Sequence, residues 1–502
     1  MKKNILQYLE QTAKKYANKT AFADVNREVT YSDFLKNSQK IGSNLSNIEK
    51  MNQPIAILLD KSVACLEAMM GVLYSGNFYT ILDVKSPNER LASILDTLNP
   101  VAIITDQKNE TKAKEIATEN QRIYTYEQMI EIEIQQERLE KIRSKMIDTD
   151  TMYILFTSGS TGVPKGTVIS HKAVIAYAHW AKETFDINEN TIWGSQTPFY
   201  FSMSITDIFT TILSGATFYI IPKMYFSFPV KLLQYLDEKK VNTIYWVPSA
   251  LCIVANLKAL EEVKLPYLEK ILFAGEVMPT KQLNMWIEHF PKALFANLFG
   301  PTETTDICTY YIVDRKFANT ESIPIGKHCD NCNVMIVKED GTEAKNGEEG
   351  ELCVRGSFLA QGYYNNPVQT QKVFVQNPLN QSYPEIIYRT GDIVKENGRG
   401  ELIYLSRKDF QIKHMGYRIE LGEIETAINA IDNIIACASV YDEKTDKIVL
   451  FYQGDKLEEK DLLEQAGKRL PKYMCPNEIH CLDRMPYNAN GKIDRKKLKT
   501  MI

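Results

Sequence analysis

The sequence predicts an α/β fold, and two observations carry that expectation. Short apolar runs read as strands buried on both faces: Pro54-Ile55-Ala56-Ile57-Leu58-Leu59, Val101-Ala102-Ile103-Ile104-Thr105 and Lys270-Ile271-Leu272-Phe273-Ala274. Segments of helical periodicity, such as 62–75 and 229–240, stand between them. Such alternation is expected of largely parallel sheets covered by helices.

A chain of 502 residues exceeds what one hydrophobic core supports, so two or more domains are expected. The stretch 108–145 is rich in charge and poor in glycine, and reads as solvent-facing helix with a connecting strand. After about Leu405 the pattern changes. Residues 420–430 look helical, Ile448-Val449-Leu450-Phe451-Tyr452 looks like a strand, and 457–469 looks helical again. The expected organisation is a large domain of mixed and parallel sheets flanked by helices over 1–405, a connector at 406–409, and a small α+β domain over 410–502.

Composition narrows the function classes. The chain is 44% hydrophobic and 24% charged, with a formal charge of −4, so nothing global points to nucleic acid or an acidic membrane. The basic tail (Lys492, Arg495, Lys496, Lys497, Lys499) reads as a solvated last helix or a contact for an acidic partner. The N-terminus reads as an amphipathic helix, and apolar runs such as 216–222 are too short to span a bilayer, so a cytoplasmic protein is expected. Nine cysteines are scattered without a framework. Cys329-Asp330-Asn331-Cys332, beside His328, has no second ligand pair and precedes the apolar run Val334-Met335-Ile336-Val337; it reads as a turn.

The strongest signal is Leu155-Phe156-Thr157-Ser158-Gly159-Ser160-Thr161-Gly162-Val163-Pro164-Lys165-Gly166, an apolar strand running into a loop of glycines and hydroxyls. Glycines let backbone approach a phosphate closely. Successive N–H groups, hydroxyls and one lysine then hold an anion. No Gly-Lys-Ser/Thr closes the loop, so it is not a Walker A motif.

Further strings follow in order: Asn297-Leu298-Phe299-Gly300-Pro301-Thr302-Glu303, then Tyr388-Arg389-Thr390-Gly391-Asp392, then Ser406-Arg407-Lys408-Asp409-Phe410-Gln411-Ile412-Lys413. Gly416-Tyr417-Arg418-Ile419-Glu420-Leu421-Gly422-Glu423-Ile424-Glu425 continues the third, and Asn490-Gly491-Lys492-Ile493-Asp494-Arg495 closes the series. Over nearly its whole length the chain resembles the adenylate-forming superfamily of acyl-CoA synthetases, luciferases, stand-alone adenylation domains of peptide synthetases and D-alanine–carrier protein ligases. Its texture is closest to the last two.

The resemblance implies an enzyme using ATP and Mg²⁺. A carboxylic acid is converted to acyl-AMP with release of pyrophosphate, then passed to a phosphopantetheine thiol. It assigns Lys492 to bridging the substrate carboxylate and the phosphates, Thr302 to the α-phosphate and Glu303 to Mg²⁺. Residues 157–165, with Thr157, Ser158, Gly159, Ser160, Thr161, Gly162 and Lys165, cover the β- and γ-phosphates. Asn297, Phe299 and Gly300 belong to the adenine motif, Phe299 stacking on the base; Asp392 and Arg407 reach the ribose. Asp409 is the implied hinge, exchanging Lys492 for the segment around Gly416 between two half-reactions.

By position, the acid's pocket comprises Ser202, Met203, Thr206, Trp246, Leu272, Ala274, Leu298, Asp306 and Ile307. Amino-acid-activating relatives place an aspartate where Ser202 stands, and a serine cannot neutralise a buried ammonium. Asp306 is the unusual member, and the expectation is that it receives an amine displaced from the α-carbon, as in β-alanine. Its other reading is a solvent-facing or backbone-bonded carboxylate, and a slipped register would give the anchoring role to Asp207, expected on the helix that follows. Only ten residues follow Lys492, so a carrier is expected to be a separate protein, or the acceptor to be CoA. Alternatives are an acyl- or aryl-CoA synthetase, a luciferase-type oxygenase and a non-catalytic adenylate-binding protein.

Overall fold

The structure, a computed structural model, describes residues 2–159, 163–409, 411–487 and 493–502. Two large sheets form its frame. One has nine strands in the order Lys327–His328, Thr309–Ile312, Leu294–Phe299, Lys270–Phe273, Thr243–Trp246, Ile192–Ser195, Thr217–Ile220, Thr20–Ala23, Glu28–Thr30. Its middle is parallel and its ends antiparallel. The second runs Gly362–Tyr363, Lys165–Ser170, Thr151–Thr157, Phe78–Ile81, Pro54–Leu58, Ala102–Thr105, Arg122–Thr125. A third, antiparallel sheet is built around the long strand Ile386–Glu396. The α/β expectation therefore holds, and the three apolar runs are strands at Pro54–Leu58, Ala102–Thr105 and Lys270–Phe273.

The helix Val63–Tyr74 shows how the frame is packed. Apart from the buried Glu67, which pairs with Arg27, it is apolar all round and almost wholly buried, as a helix covered on every face must be. Ser62 caps it, its hydroxyl accepting from Cys65 N. It crosses Tyr31–Leu45 at a glycine contact: a Cβ on Gly71 would lie 2.3 Å from Ile41 Cγ2. The charged stretch 108–145 folds as expected into Glu110–Ile116, Arg122–Thr125, Tyr126–Met129 and Gln136–Lys145.

One continuous core runs from Ile5 to Leu402, and a second, from Ile419 to Met474, belongs to the C-terminal unit. That unit contains the helices Leu421–Asn429 and Glu459–Ala466 and the strands Ile434–Asp442, Lys447–Gly454 and Glu478–Cys481. It also carries a two-stranded hairpin, Gln411–His414 with Tyr417–Glu420. Met415 and Gly416 form its turn with φ of 51° and 80°, the double left-handed pattern that suits a two-residue hairpin. Cys329 and Cys332 are buried thiols leading into the strand Cys332–Val337. Among the described residues no helix is long and apolar enough to cross a membrane.

Candidate active site

Strand ends of both sheets and the hairpin 411–420 enclose a cavity of about 700 Å³. In parallel sheets, loops at the carboxyl ends of strands are where ligands bind. The strand Thr151–Thr157 delivers the anion loop here, and a Cβ on Gly159 would lie 2.0 Å from Val163 O. Ser160, Thr161, Gly162 and Lys492 lie outside the described residues.

Two described residues of the loop, Ser158 and Gly159, are engaged by the C-terminal unit, whereas Thr157 Oγ1 is buried without a partner among the described residues. Ser158 Oγ donates to Arg418 O at 2.7 Å and accepts from Glu420 N at 3.1 Å. Gly159 N donates to Glu423 Oε2 at 3.2 Å, and Arg90 pairs with the same carboxylate. Lys165 Nζ stands 3.8 Å from Glu420; burial lowers its pKa.

Glu303 follows Thr302 in a short 3₁₀ turn and is completely buried. Tyr363 Oη donates to its Oε1 at 2.6 Å, and Arg418 Nη1 lies 2.5 Å from Oε2. Burial opposes its ionisation, but the charges of Arg418 and Lys165 hold its pKa down at about 2. Asp392 Oδ1 accepts from Arg407 Nη1 at 2.9 Å. Arg407 also grips Asp409 with two bonds of 2.8 Å, so one guanidinium spans the ribose-motif acid and the connector acid. Phe299 faces Tyr404 at 5.7 Å, and Lys413 Nζ lies 4.6 Å from its ring centre, on the surface expected for a stacked base. Asn297 Nδ2 donates to Pro324 O, which fixes the adenine-motif strand.

Asp306 is buried, which rules out its solvent-facing reading. Its Oδ2 accepts from Tyr177 Oη at 2.9 Å, Thr206 Oγ1 at 2.9 Å and Tyr245 Oη at 3.1 Å. Burial pushes its pKa up to about 6, against the pull of these neutral hydroxyls. Ser202 Oγ stands 3.4 Å from Thr302 Oγ1, so the Asp306 wall adjoins the expected α-phosphate position. Gly300, Thr302, Ser202, Met203, Ala274, Asp306 and Ile307 face the cavity. Thr206, Trp246, Leu272 and Leu298 are buried one layer behind them, Trp246 donating to Gly194 O.

Asp207 lies on the helix Ser204–Ser214, as the sequence implies. It faces Lys61, whose ammonium donates to Ser195 O and Oγ at 3.0 Å. Burial raises the acid's pKa and lowers the amine's; each is the other's counter-charge. Sequence reasoning missed Lys61, although a charged pair closing an apolar strand was a usable signal. It also missed Tyr177, Tyr245, Arg90 and Glu276, and gave Arg418 and Glu423 no role.

A glycine-hydroxyl strand end and an arginine-bound ribose-motif acid on one cleft, with a buried acid held ionised behind its wall, define an adenylate-forming enzyme. The chain belongs to that family: the model for AMP-binding enzymes matches residues 9–364, and that for the AMP-binding enzyme C-terminal domain matches 423–492. It is 29% identical to the D-alanine–D-alanyl carrier protein ligase of Lacticaseibacillus casei, covering 99% of this chain and 98% of that one. It is likewise 29% identical to tyrocidine synthase 1 of Brevibacillus parabrevis, over 99% of this chain and 45% of that protein. The fold matches the Vibrio cholerae adenylation domain AlmE, solved with glycyl-adenosine-5'-phosphate, with a TM-score of 0.85 at 23% identity, over 100% and 98% of the chains.

Proposed function

We propose that this ligase activates a small acid whose amine lies beyond the α-carbon, β-alanine being the simplest, and passes it as a thioester to the phosphopantetheine of a separate carrier protein. The observation that carries the substrate reading is Asp306, a buried carboxylate on the cavity wall met only by neutral hydroxyls among the described residues, with Ser202 at the usual anchor position. An ammonium supplies the missing counter-charge. An apolar acid would leave that carboxylate buried and uncompensated. Full-length similarity to a D-alanyl carrier protein ligase supports the carrier.

In the first half-reaction a substrate carboxylate oxygen bonds to the α-phosphorus of ATP and pyrophosphate leaves. Thr302 and Lys492 are proposed to hold the substrate carboxylate and α-phosphate together, which is catalysis by positioning and electrostatics. Glu303, a buried carboxylate kept ionised, suits a hard cation, and Mg²⁺ there would neutralise charge on the phosphoryl oxygens. In the second, the thiol gives up its proton to solvent, its sulfur bonds to the acyl carbon, and the bond from that carbon to the phosphate oxygen breaks as AMP leaves. The hairpin 411–420 lies against the cavity, which supports this orientation as the thioester-forming one, with Asp409 as the pivot. There Arg418 fills the cation's place beside Glu303.

Substrate-dependent ATP–pyrophosphate exchange over α-, β- and γ-amino acids and amine-free acids tests the reading. Exchange confined to amine-displaced acids supports it. Exchange confined to amine-free acids would move the protein to the acyl- or aryl-CoA branch.

A pH signature follows. Only ionised Asp306 binds an ammonium, so affinity is present above about pH 6 and lost as pH falls through that value. The KM for the amino acid should rise about tenfold per pH unit below pH 6, while an ordinary aspartate would hold until about pH 4. A KM flat from pH 5 to 8 would count against Asp306.

A further inference from the structure

We propose that Glu276 is a positioning residue for thioester formation: it holds the C-terminal unit in its docked orientation by gripping the backbone of the hairpin turn. The inference rests on the two-step reading above. Glu276 belongs to the large body, in the loop after the strand Lys270–Phe273. Its Oε1 accepts from Gly416 N at 2.6 Å, and its Oε2 accepts from Ser249 N at 2.8 Å. One carboxylate thus ties a main-chain amide of each body.

Three features make this more than a surface contact. Glu276 is half-buried; burial raises its pKa, and the two amides oppose that rise. Charge-assisted bonds in such surroundings are about twice as strong as neutral ones. The turn also seats closely: a Cβ on Gly416 would lie 2.6 Å from Val247 Cγ1, so the backbone approaches the large body where a side chain could not fit. Finally, the gripped amide belongs to the turn that brings Tyr417 and Arg418 to the cavity, Arg418 reaching Glu303. Fixing Gly416 therefore fixes the element that faces the reacting centre.

The bond to Gly416 exists only when the hairpin is docked. Glu276 should consequently serve the second half-reaction and leave the first untouched. Glu276→Ala removes both acceptors. Glu276→Gln keeps one, because its amide nitrogen cannot accept a hydrogen bond.

Two measurements on the full chain test this. The half-reactions are assayed separately, as ATP–pyrophosphate exchange and as single-turnover acyl transfer to a carrier protein. Amide hydrogen exchange is followed in residues 411–420 without any acceptor. For Glu276→Ala we expect exchange activity within twofold of wild type, acyl transfer at least tenfold slower, and hairpin amides exchanging at least tenfold faster, with Glu276→Gln between. Unchanged hairpin protection would overturn the proposal, as would an equal loss in both half-reactions, which marks a merely structural role. Wild-type protein that adenylates but acylates no thiol would overturn the functional reading instead; hairpin protection would still decide whether Glu276 holds the turn.

Discussion

Asp306→Asn is expected to lower kcat/KM for an amine-bearing acid by roughly a hundredfold to a few thousandfold. That range corresponds to the ~3–5 kcal/mol lost when one partner of a buried charge pair is removed. Asparagine is preferred to alanine because its carbonyl can still accept from Tyr177, Thr206 and Tyr245. Alanine would strand those buried hydroxyls at ~1–3 kcal/mol each and confuse binding with folding. Melting temperature should therefore change little, and the effect should fall on KM and kcat/KM in pyrophosphate exchange. Adding Ser202→Asp to Asp306→Asn should move the anionic anchor beside Thr302 and shift preference towards α-amino acids. Full activity of Asp306→Asn with the native substrate would sink the displaced-amine reading.

Glu303→Gln should be the second large loss, cutting pyrophosphate exchange by about 10²–10³-fold, as expected when one preorganised electrostatic contribution is removed. The same change leaves Arg418 without its partner in the docked orientation. Because that pair joins two separately cored bodies, the cost can be escaped by undocking rather than unfolding. Acyl transfer should thus suffer as well. Arg418→Met should damage acyl transfer far more than exchange, which separates the cation's role from the guanidinium's. The pH dependence distinguishes the two acids. In the docked orientation the charges of Arg418 and Lys165 depress the pKa of Glu303, so its pairing with Arg418 is present above the usual carboxylate range and lost only as pH falls towards 2. A KM transition near pH 6 that Asp306→Asn abolishes belongs to Asp306. Exchange unaffected by Glu303→Gln would remove Glu303 from the metal site.

The contrast between Asp306 and Glu276 shows how far the sequence reaches. Asp306 stood out as a carboxylate at an otherwise apolar pocket position, three residues after Glu303. The hydroxyls that surround it did not stand out: Tyr177 and Tyr245 are 129 and 61 residues away along the chain. The grip of Glu276 on Gly416 carried no signal, since the partner amide lies 140 residues on and any residue type but proline presents an N–H. The pocket-wall expectations divided similarly. Met203 and Ile307 face the cavity, whereas Trp246 and Leu272 fill the layer behind it. Alternation along a strand can assign faces, but only the packed sheet decides which face borders empty space.

By itself the sequence determined the α/β class, the change of pattern after about Leu405, the glycine-hydroxyl string at 157–165 and the ordered strings around Thr302, Asp392 and Lys492. These are legible because burial periodicity and loop chemistry act between neighbours in the chain. The tertiary structure alone decided that Arg418 sits on Glu303, that Glu423 takes the Gly159 amide, and that Glu276 holds Gly416. Each of these contacts spans two bodies with separate cores. Their relative placement is fixed by surface complementarity and a few desolvated charges, which no local pattern encodes.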